Sequence, residues 1–156
     1  MSEKTMSYRE YRKERQEGVN ALPLHWAFSN EQFDELCEKL GGKEPKDFYR
    51  GPAGSFYLKE DAHIIHEWLD KPDPLSGLMK DYEFAYDAFL YEMGNHEYHI
   101  NWQADYDVIN CFTKVDYDEG EEKGYLELTG WEPQTKKAYL DARKEFYRQC
   151  DENDLW

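Results

Sequence analysis

Aromatic side chains make up 17 % of this 156-residue chain, with 13 tyrosines, 8 phenylalanines and 5 tryptophans. This feature constrains the fold most, because acidic chains that remain disordered lack the apolar side chains that offset the loss of chain entropy. A chain of this length can also bury most of its apolar surface in one core. We therefore predict one folded domain that spans residues 1–156.

Capping signals and apolar spacing predict that helices dominate the fold. Ser29 and Gln32 match a capping box at the start of residues 29–40. Phe33 and Leu36 begin an apolar stripe at helical spacing in the same segment. Further helices are predicted over residues 1–20, 61–70, 75–93 and 104–112 and from Pro133 onward, the last with Ala138, Tyr139, Ala142, Phe146 and Cys150 facing inward.

Short strands are predicted between these helices. Residues 48–50 and 55–59 flank the turn Gly51-Pro52-Ala53-Gly54, which is typical of a β-hairpin. Weak alternation of apolar and polar residues predicts further short strands at 24–28, 98–102 and 125–128. Together the patterns predict an α+β fold, a helix-dominated single domain with a small sheet of short strands.

Negative charge is concentrated in residues 60–127, which contain 18 acidic and four basic side chains. This segment carries −14 of the net charge of −15. Charge of this sign repels nucleic acids and anionic membranes and attracts cationic grooves. A surface that serves only solubility could have the same composition. The confinement of the charge to one segment instead favours a binding surface.

The cysteines indicate a reducing compartment. Cys37, Cys111 and Cys150 are odd in number and widely spaced, as expected of reduced intracellular thiols. The N-terminal segment lacks the apolar region of a signal peptide. No apolar run approaches the length of a membrane span. We therefore predict a soluble protein of the bacterial cytoplasm.

Five polar residues in two segments are weak candidates for metal ligands. His63, His66 and Glu67 share the polar face of one predicted helix. His96 and His99 would point to opposite faces of an extended segment and would converge only in a turn. Neither an HExxH motif nor a Cys/His cluster accompanies them. The leading interpretation is solvated histidines, with no metal and no other cofactor.

No motif predicts catalysis. The acidic loop predicted at residues 116–122 resembles a calcium loop, but Glu121 stands where the sharp turn needs glycine. The turn at residues 51–55 lacks the lysine of a phosphate-binding loop. No local signature marks a nucleophile, and the carboxylates are too numerous for one acid–base pair to stand out. Enzymatic activity is left open and is not the leading interpretation.

Three segments resemble a family of small uncharacterised proteins encoded by phages and mobile elements of Gram-positive bacteria. They are residues 22–33, the stretch FYRGPAGSFYLK with the helix that follows it, and FAYDAFLYEMGNHEYHI. The resemblance covers about residues 8–112. It implies no activity, cofactor or catalytic residue. It implies a context in which small acidic proteins often act on host machinery, including defence against foreign DNA.

The leading hypothesis is an inhibitor of a basic nucleic-acid-binding host protein, such as a CRISPR effector or a restriction enzyme. The acidic surface would occupy the groove meant for nucleic acid, since duplex DNA carries one negative charge per roughly 1.7 Å of its axis. Tyr117 would be an aromatic anchor among the contacts. The predicted contact residues are Glu83, Asp87, Asp116, Tyr117, Asp118, Glu119, Glu121 and Glu122.

Two other hypotheses stay open. One is a metal-dependent enzyme or small-ligand binder centred on the five candidate ligands named above. The other is a self-associating scaffold, because Phe84 and Tyr91 lie outside the predicted apolar stripe of their helix. Metal content would test the first hypothesis, and size-exclusion chromatography would test the second.

Overall fold

The computed structural model describes residues 6–156 and confirms a helix-dominated α+β fold. None of the described helices combines the length and apolar character that a membrane crossing requires. The α-helices are α1 (Tyr8–Asn20), α2 (Asn30–Lys39), α3 (Ala62–Asp70), α4 (Leu75–Leu78), α5 (Tyr82–Asn95), α6 (Ala104–Asn110), α7 (Tyr117–Lys123), α8 (Tyr125–Leu128) and α9 (Pro133–Glu152). Strands β1 (Phe48–Arg50) and β2 (Phe56–Leu58) form the sheet, and short 3₁₀ turns cover Pro45–Asp47, Pro52–Gly54 and Lys59–Asp61.

The chain forms two compact units. Residues 14–72 make up the smaller unit, and the rest of the described chain makes up the larger unit. The prediction of one domain over residues 1–156 stays a prediction. The first five residues of the helix predicted over 1–20 lie outside the described residues.

The smaller unit contains the predicted hairpin. Strands β1 and β2 pair antiparallel, with Phe48 opposite Leu58, and both side chains are buried with Cys37 of α2. The Ser29 hydroxyl accepts a hydrogen bond from the Gln32 amide at 3.1 Å, as the predicted cap requires. The strand predicted at 24–28 is reduced to a single bridge between His25 and Phe56.

The larger unit is built on the packing of α5 against α9. Phe89 of α5 lies at its centre, with its ring centroid 5.0 Å from that of Tyr139, 5.1 Å from Phe112 and 5.2 Å from Trp131. The residues predicted to face inward on α9 are all buried, which confirms that prediction. They are Ala138, Tyr139, Ala142, Phe146 and Cys150.

The helix predicted over residues 75–93 is wrong as one element, because the chain turns between α4 and α5. The Asp81 carboxylate accepts a hydrogen bond from the Phe84 amide at 2.9 Å and so starts a new helix. Phe84 lies outside the predicted apolar stripe, a position from which it would either pack under another element or be exposed; it is buried against α1. Its ring contacts those of Tyr8 and Tyr11.

Three short segments differ from the predicted secondary structure. Residues 98–102 form turns where a strand is predicted, and residues 125–128 form α8. Short apolar runs do not distinguish helix from strand, so tertiary packing decides between them. The acidic loop predicted at 116–122 is helix α7, since the Asp116 carboxylate caps it by accepting from the Glu119 amide at 2.8 Å.

Candidate functional site

The acidic residues around α7 are fixed to a folded element. We call Asp116, Asp118, Glu119, Glu121 and Glu122 the α7 carboxylates. All five residues are exposed. Asp116 caps the helix, Glu119 pairs with Lys123 at 3.1 Å, and Glu121 accepts the Tyr125 hydroxyl at 2.8 Å. These contacts hold three of the five carboxylates in place, and the other two, Asp118 and Glu122, are carried on the same helix.

The other predicted contact residues lie elsewhere. Glu83 and Asp87 are exposed on α5, and Asp87 accepts a hydrogen bond from the Tyr8 amide at the start of α1 at 3.1 Å. The more extensive packing among the described helices joins α7 to α8, α8 to α6 and α6 to α5. One continuous face that combines both groups stays a prediction.

The predicted aromatic anchor, Tyr117, is half-buried. Its ring centroid lies 5.2 Å from that of Tyr106 and 6.2 Å from that of Tyr125. Its carbonyl accepts the Tyr125 hydroxyl at 2.9 Å. The Tyr117 ring therefore packs within the fold against Tyr106 and Tyr125. Its role as an anchor at an interface stays a prediction.

A pocket of about 490 Å³ lies beside α7. The exposed indole of Trp102 (81 % exposed) and the carboxylates of Asp105 and Glu121 line it. The Arg143 side chain interacts with Tyr98 and Asp105 of this lining. The hydroxyls of Tyr98 and Tyr139 both donate to the Asp105 carboxylate. Burial, together with this carboxylate, raises the pKa of both phenols, so they remain protonated donors.

The candidate ligands on α3 lie apart from the metal-type cluster that the described residues form, and their role as ligands stays a prediction. His63, His66 and Glu67 are exposed, and within residues 6–156 they belong to no cluster of three ligand-type side chains. The His99 ring packs between Phe146 and Trp156, and its buried Nδ1 has no hydrogen-bond partner among residues 6–156. Of the five candidates, His96 is the one that belongs to a cluster of three ligand-type side chains within the described part of the chain.

His96 belongs to a cluster with Glu92 and Cys111, which we call the Glu92 centre. Glu92 and His96 lie one helical turn apart at the end of α5, and Cys111 directly follows α6. The Glu92 Oε2 atom lies 3.3 Å from His96 Nε2 and 3.4 Å from Cys111 Sγ, and the last two atoms are 3.4 Å apart. Three atoms from three side chains therefore form a nearly equilateral triangle.

The second oxygen of Glu92 is held by α1. Arg12 Nη1 donates to Oε1 at 2.7 Å, and the Tyr8 hydroxyl donates to the same atom at 3.0 Å. Because Glu92 is only 3 % exposed, this pairing offsets part of the free-energy cost of burying its carboxylate. The E-x-x-x-H spacing of Glu92 and His96 was visible in the sequence, whereas nothing local pointed to Cys111, Tyr8 or Arg12.

The Glu92 centre does not have the arrangement of a Cys–His–Glu catalytic triad. In a triad the base takes a proton through one ring nitrogen and is oriented through the other. Here Glu92 and Cys111 both lie beside the same atom, His96 Nε2. The imidazole therefore cannot relay a proton between them, and the centre is suited to converge on one shared group.

The thiol of Cys111 should react slowly with alkylating reagents. Burial, followed by the negative charge of Glu92, raises the pKa of Cys111 to about 12. At pH 8 the reactive thiolate is therefore scarce. We expect iodoacetamide to modify Cys111 of EDTA-treated protein at least about tenfold more slowly than a free cysteine derivative, with a rate that still rises above pH 9. Peptide mass spectrometry measures this rate at Cys111 alone, and a rate equal to that of the free thiol would contradict the prediction.

The structure defines a helix-dominated α+β protein with an acidic helix and a carboxylate–imidazole–thiol cluster. A family model matches residues 7–121, so the chain belongs to a family of unknown function, DUF7659. The matched residues include the Glu92 centre and nearly all the α7 carboxylates, but not α9. No curated protein and no solved structure matches the chain.

Proposed function

We propose that this protein binds a basic nucleic-acid-binding protein through the α7 carboxylates and thereby blocks access of nucleic acid. The observation that carries the proposal is the display of five exposed carboxylates on one short, capped helix. Attraction between such an array and a cationic groove accelerates association and weakens as salt is added. A helix-bound array also loses less conformational entropy on binding than a disordered tail would.

The pocket beside α7 supports a cationic partner. Glu121 and the exposed Trp102 indole are groups that attract a guanidinium or ammonium ion, whereas Asp105 already interacts with Tyr98, Tyr139 and Arg143. A lysine or arginine side chain of the partner would fill this pocket while its neighbours meet the α7 carboxylates. Both features select the same class of partner, a protein rich in lysine and arginine.

The narrower form of the proposal names a host defence nuclease as the partner, in the bacterial cytoplasm. Nucleases that bind DNA or guide RNA have cationic channels for the phosphate backbone. A rigid acidic body can compete for such a channel. The family resemblance described above motivates this choice among basic proteins. The proposed mode of action is steric competition, with the inhibitor itself free of nucleic acid.

The test is a charge reversal on α7 that spares the contacts within the fold. Asp116 caps α7 and Glu121 holds Tyr125, so reversing either residue would also disturb packing. The double variant Asp118→Lys/Glu122→Lys avoids both. We expect wild-type protein to inhibit DNA cleavage by at least one nuclease in a panel of purified restriction and CRISPR nucleases. The variant should lose this inhibition by about tenfold or more while retaining its melting temperature.

A matched control has the same change in net charge at another place. Glu31 and Glu35 are exposed on α2, outside the acidic segment. The variant Glu31→Lys/Glu35→Lys should inhibit as well as wild type if the location of the charge matters. Equal loss of inhibition in both variants would show that net charge, and not the position of the charges, determines inhibition. If wild-type protein inhibits none of the nucleases, the narrower proposal is rejected.

A further inference from the structure

We propose that Glu92, His96 and Cys111 form a zinc site with three protein ligands and one coordination position open to solvent. The three ligand atoms are Glu92 Oε2, His96 Nε2 and Cys111 Sγ, all within 4.8 Å of one another. This inference is independent of the α7 carboxylates and of the partner they bind.

The spacing of the three atoms fits a tetrahedral zinc ion. Zinc lies about 2.0–2.2 Å from carboxylate oxygen, about 2.0–2.1 Å from imidazole nitrogen and about 2.3 Å from thiolate sulfur. Tetrahedral angles then place the oxygen and nitrogen ~3.3 Å apart and the sulfur ~3.5 Å from each of them. The observed distances are 3.3, 3.4 and 3.4 Å. An ion can therefore enter this triangle with shifts of only about 0.1 Å, the difference between the two sets.

The chemistry of the ligands selects the metal. Sulfur and imidazole nitrogen favour zinc and other late transition metals, whereas magnesium and calcium require oxygen ligands. A carboxylate and a thiolate offset the two charges of the ion, and Arg12 beside Glu92 leaves the site with one net positive charge. Cys111 binds as the thiolate, and its proton passes to solvent when the metal enters.

The surroundings of Glu92 orient it as a ligand through one oxygen. Arg12 and Tyr8 both donate to Oε1. Oε2 faces His96 and Cys111 and also accepts a hydrogen bond from Asn95 Nδ2 at 3.4 Å, a contact that a bound metal would replace. Hydrogen bonds of this kind fix the ligand and raise metal affinity in known sites. Arg12 also keeps its guanidinium over the Tyr91 ring, with 4.7 Å from Cζ to the ring centroid. Arg12 is thus bound to Oε1 and not to Oε2, the oxygen assigned to the metal.

The site is accessible from one side. Glu92 is buried, but the His96 side chain is 32 % exposed and Cys111 is half-buried. Structural zinc sites have four protein ligands, whereas sites that bind water or a substrate have three and an open position. The Glu92 centre matches the second kind, and water would be the fourth ligand.

Metal titration tests the proposal on the full-length protein. Protein stripped with EDTA is titrated with zinc chloride alone, and bound zinc is measured by calorimetry and by elemental analysis after desalting. We expect one equivalent of tightly bound zinc and a higher melting temperature when it is present. The variants Cys111→Ser and His96→Asn should each weaken binding by about 100-fold.

Control variants separate this site from the many surface carboxylates. His63→Asn alters an exposed helical histidine outside the centre and should bind zinc as wild type does. An excess of magnesium should not displace the zinc, because magnesium competes only for oxygen ligands. Displacement by magnesium, or equal binding by His96→Asn and wild type, would assign the zinc to the surface and overturn the proposal.

Cobalt provides a second readout that does not depend on a variant folding. Cobalt(II) bound by a thiolate shows a sulfur-to-cobalt charge-transfer absorption, which we expect for wild type and not for Cys111→Ser. Tyr8→Phe removes only the hydrogen bond to Oε1 and should weaken zinc binding by about tenfold, as positioning groups do. If the wild-type protein with cobalt shows no thiolate band, the Glu92 centre is a hydrogen-bonded cluster that binds no metal, and the proposal is overturned.

Discussion

Replacing Phe89 by alanine should lower the free energy of unfolding by about 3–5 kcal/mol. Phe89 is 0 % exposed and contacts three aromatic rings, those of Phe112, Trp131 and Tyr139. Its removal leaves a cavity between α5 and α9 that a helix pair cannot close without separating its other contacts. Urea unfolding followed by tryptophan fluorescence measures the change.

The control for this prediction is another phenylalanine in a different setting. Phe28 is 86 % exposed, so Phe28→Ala should change the free energy of unfolding by less than about 0.5 kcal/mol. A similar loss in both variants would contradict the assignment of Phe89 to the centre of the core. A loss below about 1 kcal/mol for Phe89→Ala would contradict it as well.

Gly120→Ala should be the second strongly destabilising substitution, with a loss of about 3 kcal/mol, the upper end of costs for over-packing. Gly120 is buried in α7, and a Cβ there would overlap Cδ1 and Cε1 of the Tyr125 ring. The ring cannot move away easily, because the Tyr125 hydroxyl is bonded to the Tyr117 carbonyl and to Glu121. Thermal melting and urea unfolding of the variant measure the cost.

A second glycine provides a control of opposite sign. Gly94 lies in α5 with nothing within 4 Å of an added Cβ. Gly94→Ala should therefore stabilise the protein by about 0.5–1 kcal/mol, since alanine favours the helix and restricts the unfolded chain. If both substitutions have the same sign, contact with Tyr125 does not determine the response of Gly120. The Gly120→Ala variant also tests whether α7 is a rigid support for the α7 carboxylates. Displacement of Tyr125 in this variant should weaken inhibition as well.

Helices with strong local signals could be predicted from the sequence. The cap at Ser29 and the inward stripe of α9 are both present in the structure, because each depends on residues within one or two turns. Shorter elements could not be predicted this way. Residues 98–102 and 125–128 alternate like strands, yet no neighbouring strand is available to them among the described residues, and they form turns and a helix.

The acidic surface and the Glu92 centre differ in how visible they are in the sequence. The excess of carboxylates in residues 60–127 is a property of composition, although the capping role of Asp116 and the helical state of α7 are not. His96 is a weak candidate ligand in the sequence and could converge with His99 only if their segment forms a turn. Residues 96–100 do form turns, but the His99 ring packs on Phe146 and Trp156.

The sequence alone determined what the local chain could do: where long helices form, where the hairpin turns and where negative charge accumulates. The tertiary structure alone decided which distant side chains meet. Cys111 lies 19 positions from Glu92, and Arg12 and Tyr8 lie 80 and 84 positions away, so no periodicity connects them. Packing of the larger unit brings these groups together, because burying the apolar faces of its helices leaves only a few arrangements of their polar residues.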